Sequence, residues 1–159
     1  MSKAELLNPF FTSVYDCLEE ISGESVKRGK LYLQKNRQFA SRGFSVLIVI
    51  TGQLQGRVIL DMSKKVAIKF AEIMNMEEIG EFNDQVKSSI KEMANSVCEQ
   101  SSEKLSTMDI EVNIDSPSLI ETEQVDEGSN NNAAIIAAPL ELPFGELVIY
   151  LSLNTVSDK

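Results

Sequence analysis

The side chains best suited to chemistry in this chain are Glu92 and Asn95, which lie three positions apart. Residues 84–107 around them repeat apolar residues at the spacing of an amphipathic helix, at about 100° per residue. Their inward face holds four apolar residues and the opposite face four polar ones: Val86, Ile90, Met93 and Val97 against Ser88, Glu92, Asn95 and Glu99. A carboxylate and a primary amide on one helix face can bind a partner and orient a water molecule. The sequence therefore predicts a long helix with an outward polar stripe as the candidate site.

Taken alone, a glutamate and an asparagine on an outer helix face usually belong to a solvated surface. Two details permit a function. Glu92 has no lysine or arginine three or four residues away in either direction, so it lacks the usual intrahelical ion-pair partner. Asn95 costs a helix interior roughly half a kcal/mol relative to alanine, and its amide can both donate and accept hydrogen bonds.

Composition excludes several classes of function. The net charge of −9 argues against nucleic-acid binding, because phosphate contacts need clustered basic residues. The absence of histidine removes the commonest general base and most zinc sites, and no glycine-rich phosphate loop is present. Cys17 and Cys98 lack a CxxC spacing, and no apolar run approaches the roughly 20 residues of a membrane span. We expect a cytoplasmic protein that binds neither membrane nor nucleic acid.

The elements that must position the stripe can be read from periodicity and turn residues. Asn8-Pro9 resembles the start of a first helix, Gly23 its end, and Ser63 the cap of a second helix. Strand patterns occupy residues 26–36, 44–51, 55–62, 110–114, 119–125, 133–138 and 145–153, with a polar loop at 126–132. Because strands and helices cluster and do not alternate, we expect residues 1–159 to form one α+β domain, with two to three helices packed on one face of an antiparallel or mixed sheet.

Nearly the whole chain resembles the CheC/CheX/FliY family of chemotaxis phosphatases, and in particular its CheX type. The resemblance is carried by NPF at residues 8–10, TGQLQGRVILDMS at 51–63 and AIKFAEIM at 67–74. Above all, it is carried by the family's phosphatase motif, which reads Ser88, Glu92, Asn95 and Pro117 here, the proline standing one place earlier than in the family pattern.

The same family pattern can occur twice, with a first copy on the N-terminal helix. Asp16 and Glu20 match its first two positions, but Gly23 stands where the asparagine should be. The resemblance therefore implies one active site per chain, as in the CheX type, and a CheC/CheX-like fold.

The resemblance implies a phosphatase that removes the aspartyl phosphate of a CheY-like response regulator. Asn95 would orient the attacking water, Glu92 would pair with a lysine of the partner, and Ser88 and Glu99 would complete the contact surface. Mg²⁺ would belong to the regulator, so no metal or cofactor of its own is expected, and family members form homodimers through their sheets. Two alternatives stay open: a non-catalytic module that binds the regulator, and a flagellar-switch interaction protein.

Overall fold

A computed structural model of the chain describes residues 2–128 and 133–155. Three helices account for most of the first two thirds of the chain: α1 (Lys3–Ser22), α2 (Lys64–Asn75) and α3 (Asp84–Ser106). Each begins at a side-chain cap. The Ser63 hydroxyl accepts from the Val66 N–H at 3.1 Å, and the Asn83 amide oxygen accepts from the Val86 N–H at the same distance. Both caps satisfy amide groups that the first turn leaves without a partner, which fixes where each helix starts.

Ten strands are described. In chain order they are β1 (Lys27–Arg28), β2 (Tyr32–Gln34), β3 (Gln38–Ala40), β4 (Phe44–Gly52), β5 (Leu54–Met62), β6 (Val112–Ile114), β7 (Ser118–Ile120), β8 (Gln124–Asp126), β9 (Ile135–Leu142) and β10 (Gly145–Thr155). The main sheet runs β1-β9-β10-β5-β4-β6, with β2 also on β9 and β7 also on β4. Every described pairing is antiparallel.

The three helices cover one face of this sheet, so the predicted α+β architecture is confirmed. Fully buried side chains such as Val14 of α1, Phe70 of α2 and Ile90 of α3 pack with Leu60 and Leu151 of the central strands. A smaller apolar cluster lies on the opposite face, where the two-stranded β3–β8 sheet covers β5 and β10. Burial on both faces explains why the four central strands have near-continuous apolar sequences.

The start predicted for α1 is wrong. The helix begins at Lys3, because Ser2 and Glu5 form a capping box: the Ser2 hydroxyl accepts from the Glu5 N–H, and the Glu5 carboxylate accepts from the Ser2 N–H. Pro9 lies inside the helix, where it removes one backbone donor. The Ser13 hydroxyl donates to the Pro9 carbonyl at 2.6 Å, and buried Leu6 and Leu7 extend the inward stripe before the proline. Packing of this early turn outweighs the cost of the proline.

Three strand predictions also need correction. Residues 26–36 form two short strands, β1 and β2, which pair with different parts of β9. Residues 119–125 divide between β7 on the main sheet and β8 on the small sheet, because the chain crosses from one layer to the other between them. Strand β9 extends through Pro139, whose carbonyl accepts from the Gly29 N–H at 2.8 Å. The predicted loop at 126–132 begins after Asp126, and its asparagines at 130–132 lie outside the described residues.

Candidate functional site

Helix α3 is held against both other helices. The Asn75 amide at the end of α2 donates to the Ser89 hydroxyl at 2.8 Å. From the other side, the Lys104 ammonium donates to the Thr12 hydroxyl of α1 at 3.0 Å, and the Cys17 thiol contacts the Met93 carbonyl at 3.8 Å. These contacts, together with the buried stripe, fix the rotation of α3 about its own axis.

The connection from α2 to α3 is also organised by a side chain. The Glu72 carboxylate accepts from the backbone N–H of Ile79 at 2.8 Å and of Gly80 at 3.1 Å. These two donors, first Ile79 and then Gly80, lower the pKa of Glu72 below its usual range because they stabilise the charged form. The loop that leads into α3 is therefore tied back to α2.

The outward face of α3 carries the predicted polar stripe. Ser88, Glu92, Asn95 and Glu99 are all exposed. The predicted inward residues lie opposite and are at most 1% exposed: Val86, Ile90, Met93 and Val97. The orientation of the helix is thus as predicted, while the chemical roles of the four polar residues stay a prediction.

Glu92 and Asn95 are available to a partner. Within residues 2–128 and 133–155, neither side chain takes part in a hydrogen bond or an ion pair. Asn95 lies near the middle of a 23-residue helix, so its backbone position is rigid. The stripe therefore presents an unpaired carboxylate and an unpaired amide at fixed positions, one turn apart.

The first, incomplete copy of the motif lies on α1 beside this helix. Asp16 and Glu20 are exposed, as on α3, but the Asp16 carboxylate forms an ion pair with Lys104 at 3.1 Å. Gly23 ends α1 in the left-handed conformation, with φ of 69°, and its N–H donates to the Glu19 carbonyl. The sequence did not single out Lys104, which lies on α3 beyond Asn95 and connects this helix to Asp16 of the α1 copy.

Pro117, the last residue of the motif, is buried in the short connection between β6 and β7. Both of those strands pair with β4 at the edge of the sheet near α3. The proline therefore belongs to the layer beneath the helix and not to its polar stripe.

Other reactive groups offer little chemistry. Both cysteines are free, and burial raises the pKa of Cys17 and of Cys98 to about 11. Each thiol is therefore protonated at neutral pH and is a poor nucleophile. In the part of the chain that the structure describes, no three histidine, cysteine, aspartate or glutamate side chains are grouped as metal ligands, and no helix is long and apolar enough to cross a membrane.

Comparison with known proteins finds a matching family model and several solved structures of similar fold. Residues 44–141 match the family model described as chemotaxis phosphatase CheX. No curated protein matches the sequence.

Solved structures of low sequence identity share the fold. A chemotaxis protein CheX from Desulfovibrio desulfuricans is 24% identical, with a TM-score of 0.83 over 94% of this chain and 99% of that one. A chemotaxis protein CheX from Vibrio vulnificus is 20% identical, with a TM-score of 0.83 over 95% and 100%. The CheX-CheY-BeF3-Mg²⁺ complex from Borrelia burgdorferi is 22% identical, with a TM-score of 0.76 over 93% and 97%.

Proposed function

Since this chain belongs to the chemotaxis phosphatase CheX family, we propose that it hydrolyses the aspartyl phosphate of a CheY-like response regulator. The observation that supports this most directly is the pair Glu92 and Asn95, exposed on a rigid helix and without partners among the described residues. The CheX-CheY complex from Borrelia burgdorferi supports a regulator of this type as the partner.

The proposed reaction needs positioning more than strong bases. An acyl phosphate is labile, so the enzyme can act mainly by holding a water molecule in line with the bond that breaks. In our proposal, Asn95 enters the regulator's active site and its amide oxygen accepts a hydrogen bond from that water. The water oxygen attacks phosphorus, the bond from phosphorus to the aspartyl oxygen breaks, and the aspartate carboxylate and inorganic phosphate leave. The lost water proton passes to the phosphate or to solvent.

Glu92 has a different role in this proposal. Its carboxylate pairs with the lysine of the regulator's active site, which fixes the regulator so that Asn95 reaches the phosphoryl group. Ser88 and Glu99 lie one turn away on either side of the pair and extend the contact surface. Because Asn95 only orients water, its loss should slow the reaction, whereas loss of Glu92 should mainly weaken docking.

We propose that the metal of the reaction is the regulator's own Mg²⁺, which would neutralise charge on the phosphoryl oxygens. The presence of Mg²⁺ in the CheX-CheY complex from Borrelia burgdorferi is in keeping with this proposal. This chain would then act without a metal or cofactor of its own. Removing Mg²⁺ should stop phosphate release, and metal analysis of the isolated protein should find no bound divalent ion.

We also propose that the protein is a cytoplasmic homodimer. The free cysteines suit a reducing compartment. Strand β2, at an edge of the main sheet, exposes Tyr32 by 41% and Leu33 by 60%, and Leu31 directly before it is exposed by 54%. An exposed apolar edge of this kind is a common site of self-association. Sedimentation of the wild type and of Leu33→Lys tests the dimer, since a monomeric wild type would contradict it.

A phosphate-release assay tests the proposed activity. CheY-type regulators, phosphorylated one at a time with acetyl phosphate, should lose phosphate faster when a small amount of this protein is added. Asn95→Ala should lower the accelerated rate of phosphate release about 100-fold or more, because misplacement of the attacking water has an effect of that size. Glu92→Ala should mainly raise the regulator concentration needed for half-maximal rate.

Circular dichroism of each variant tests whether it remains folded. Unchanged activity in Asn95→Ala would contradict the proposal that this residue orients the attacking water. Tight binding of the regulator without any phosphate release would favour the non-catalytic binding module in place of a phosphatase.

A further inference from the structure

A groove opens beside the candidate site, where α1, α2 and α3 meet. It has a volume of about 440 Å³, and Glu92 is one of the residues that line it. Its apolar lining comes from all three helices and consists of Cys17, Ile21, Ile73, Met74 and Met93. Two of these side chains are methionines, which adapt their shape to different contacts. The groove combines this apolar lining with two uncharged polar residues, Ser96 and Gln100, and is continuous with the polar stripe at Glu92.

Three carboxylates surround this apolar lining: Glu20 from α1, and Glu92 and Glu99 from α3. We call the depression and its three acidic side chains the glutamate groove. Among the residues that the structure describes, no lysine or arginine lines it. None of the three glutamates has a basic residue three or four positions away on its own helix.

The three carboxylates also lack partners elsewhere in the described ranges, 2–128 and 133–155, where none forms a hydrogen bond or an ion pair. Two other acidic side chains of the three helices have partners. Asp16 pairs with Lys104, and Glu72 accepts from two backbone N–H groups. The glutamates do not converge as a metal-ligand group. Three unneutralised carboxylates around a partly apolar depression are complementary to a basic side chain with an aliphatic stem.

Lysine and arginine are side chains of this kind, since their methylene stems can lie on apolar surface while the cationic head stays near carboxylates. We propose that the glutamate groove docks a basic segment of the phosphorylated regulator, in which a lysine or arginine pairs with Glu20 and Glu99. This residue is distinct from the active-site lysine assigned to Glu92, and the inference rests on the proposed phosphatase function. Glu20, the remnant of the incomplete motif on α1, thus serves partner recognition and not catalysis.

Charge reversal in the groove tests this proposal. The double variant Glu20→Lys/Glu99→Lys is compared with Glu24→Lys/Glu103→Lys, in which each change lies four residues further along the chain and outside the groove. Both variants change the net charge equally. The probe is a CheY-type regulator phosphorylated with acetyl phosphate, and kcat and KM are measured at low and high salt.

We expect the groove variant to raise KM about tenfold while kcat changes less than about twofold, because two attractive contacts become repulsive. The control variant should change KM by less than about twofold, and high salt should reduce the difference between the variants. Titration with the beryllofluoride-activated regulator should show the same loss of affinity. This titration does not depend on turnover, so it tests the groove even if phosphate release is absent.

Three results would overturn the inference. If KM rises equally in the groove and control variants, the change in overall charge and not the groove would be the cause. A fall in kcat at unchanged KM would place the glutamates in the chemical step. A change of oligomeric state, without a change in regulator affinity, would mean that a second copy of this chain occupies the groove. Because Asn95→Ala is measured separately, each of these results can be distinguished from failure of the proposed phosphatase activity.

Discussion

Helices α1 and α3 carry the same motif spacing, but only α3 has the expected residue type at all three positions. On α3, Ser88, Glu92 and Asn95 lie on one exposed face. On α1, Asp16 and Glu20 occupy the corresponding exposed positions, but Gly23 follows at the third. The spacing of the motif is therefore present twice, and the difference between the helices shows what else such a site needs.

Continuity of the helix is the first difference. Helix α1 ends at Ser22, and Gly23 adopts a left-handed conformation that turns the chain away. Helix α3 continues for about three turns after Asn95, to Ser106. A water-orienting amide must be held to within a fraction of an ångström, which the middle of a packed helix provides and a helix end does not.

Charge is the second difference. Lys104 of α3 neutralises Asp16 of α1, whereas the corresponding position of α3 holds the uncharged Ser88. Helix α3 thus supplies the cation that neutralises the first residue of the α1 copy. Only Glu20 of the α1 copy stays unpaired, and it faces the glutamate groove.

Replacing Asn95 of α3 with glycine, the residue at the corresponding position 23 of α1, should have the largest effect on activity. Asn95→Gly removes the amide and loosens the helix, so we expect phosphatase activity to fall about 100-fold or more. It should also lower the free energy of unfolding by a few tenths of a kcal/mol, whereas Asn95→Ala should raise it by about 0.5 kcal/mol, because alanine favours helix interiors. Urea denaturation and phosphate release separate the two properties. If activity instead follows stability in the two variants, helix rigidity and not the amide would be the requirement.

The reverse exchange should have a smaller effect. Gly23→Asn restores the missing residue type on α1, and a Cβ at this position meets no atom within 4 Å. Asparagine tolerates the left-handed conformation better than most residues, so we expect a stability loss of about 1 kcal/mol or less. The amide would still lie beyond the helix end and beside a neutralised Asp16. Activity per chain should therefore not rise.

The combined variant Gly23→Asn/Asn95→Ala sharpens this comparison. It should be as inactive as Asn95→Ala alone, because the α1 copy lacks the rigid helix as well as the amide. Gly23→Ala serves as the control for backbone strain at the same position. Recovery of phosphate release in the combined variant would show that residue identity alone is enough to build the site.

The two helices also differ in how well their sequences predict them. The bounds of α3 follow from Asn83 as cap and from a regular apolar stripe, and the exposure of Glu92 and Asn95 follows from the same stripe. The start of α1 is mispredicted because Asn8-Pro9 resembles a helix start. The true signal, Ser2 with Glu5 three residues later, is the capping box at the chain's beginning.

The glutamate groove could not be predicted from local patterns. It needs Glu20 from α1 and Ile73 from α2 beside Glu92, and these residues are brought together only by the packing of three helices. The division of residues 119–125 between two sheets has a similar cause, since alternate pairing partners are chosen by the tertiary fold and not by strand propensity. Periodicity thus predicts which face of an element is buried, but not which faces meet.

Removing the ion pair between Asp16 of the α1 copy and Lys104 of α3 should have the smallest effect. Asp16 is half exposed and Lys104 about one third exposed, so the pair is well solvated. We expect Asp16→Asn to lower the free energy of unfolding by less than about 1 kcal/mol, as for other surface ion pairs. Lys104→Met should cost somewhat more, because it also removes the hydrogen bond to Thr12. Neither change should alter phosphate release.

A double-mutant cycle of Asp16→Asn and Lys104→Met measures the coupling between the two side chains directly. The coupling should be a few tenths of a kcal/mol and should shrink as salt is added, because exposed charges are screened. A coupling above about 2 kcal/mol would mean that Lys104 is the element that holds α1 against α3. A loss of activity in Lys104→Met at unchanged stability would mean that the incomplete copy still contributes to the site, and the contrast between the two helices would then be one of degree.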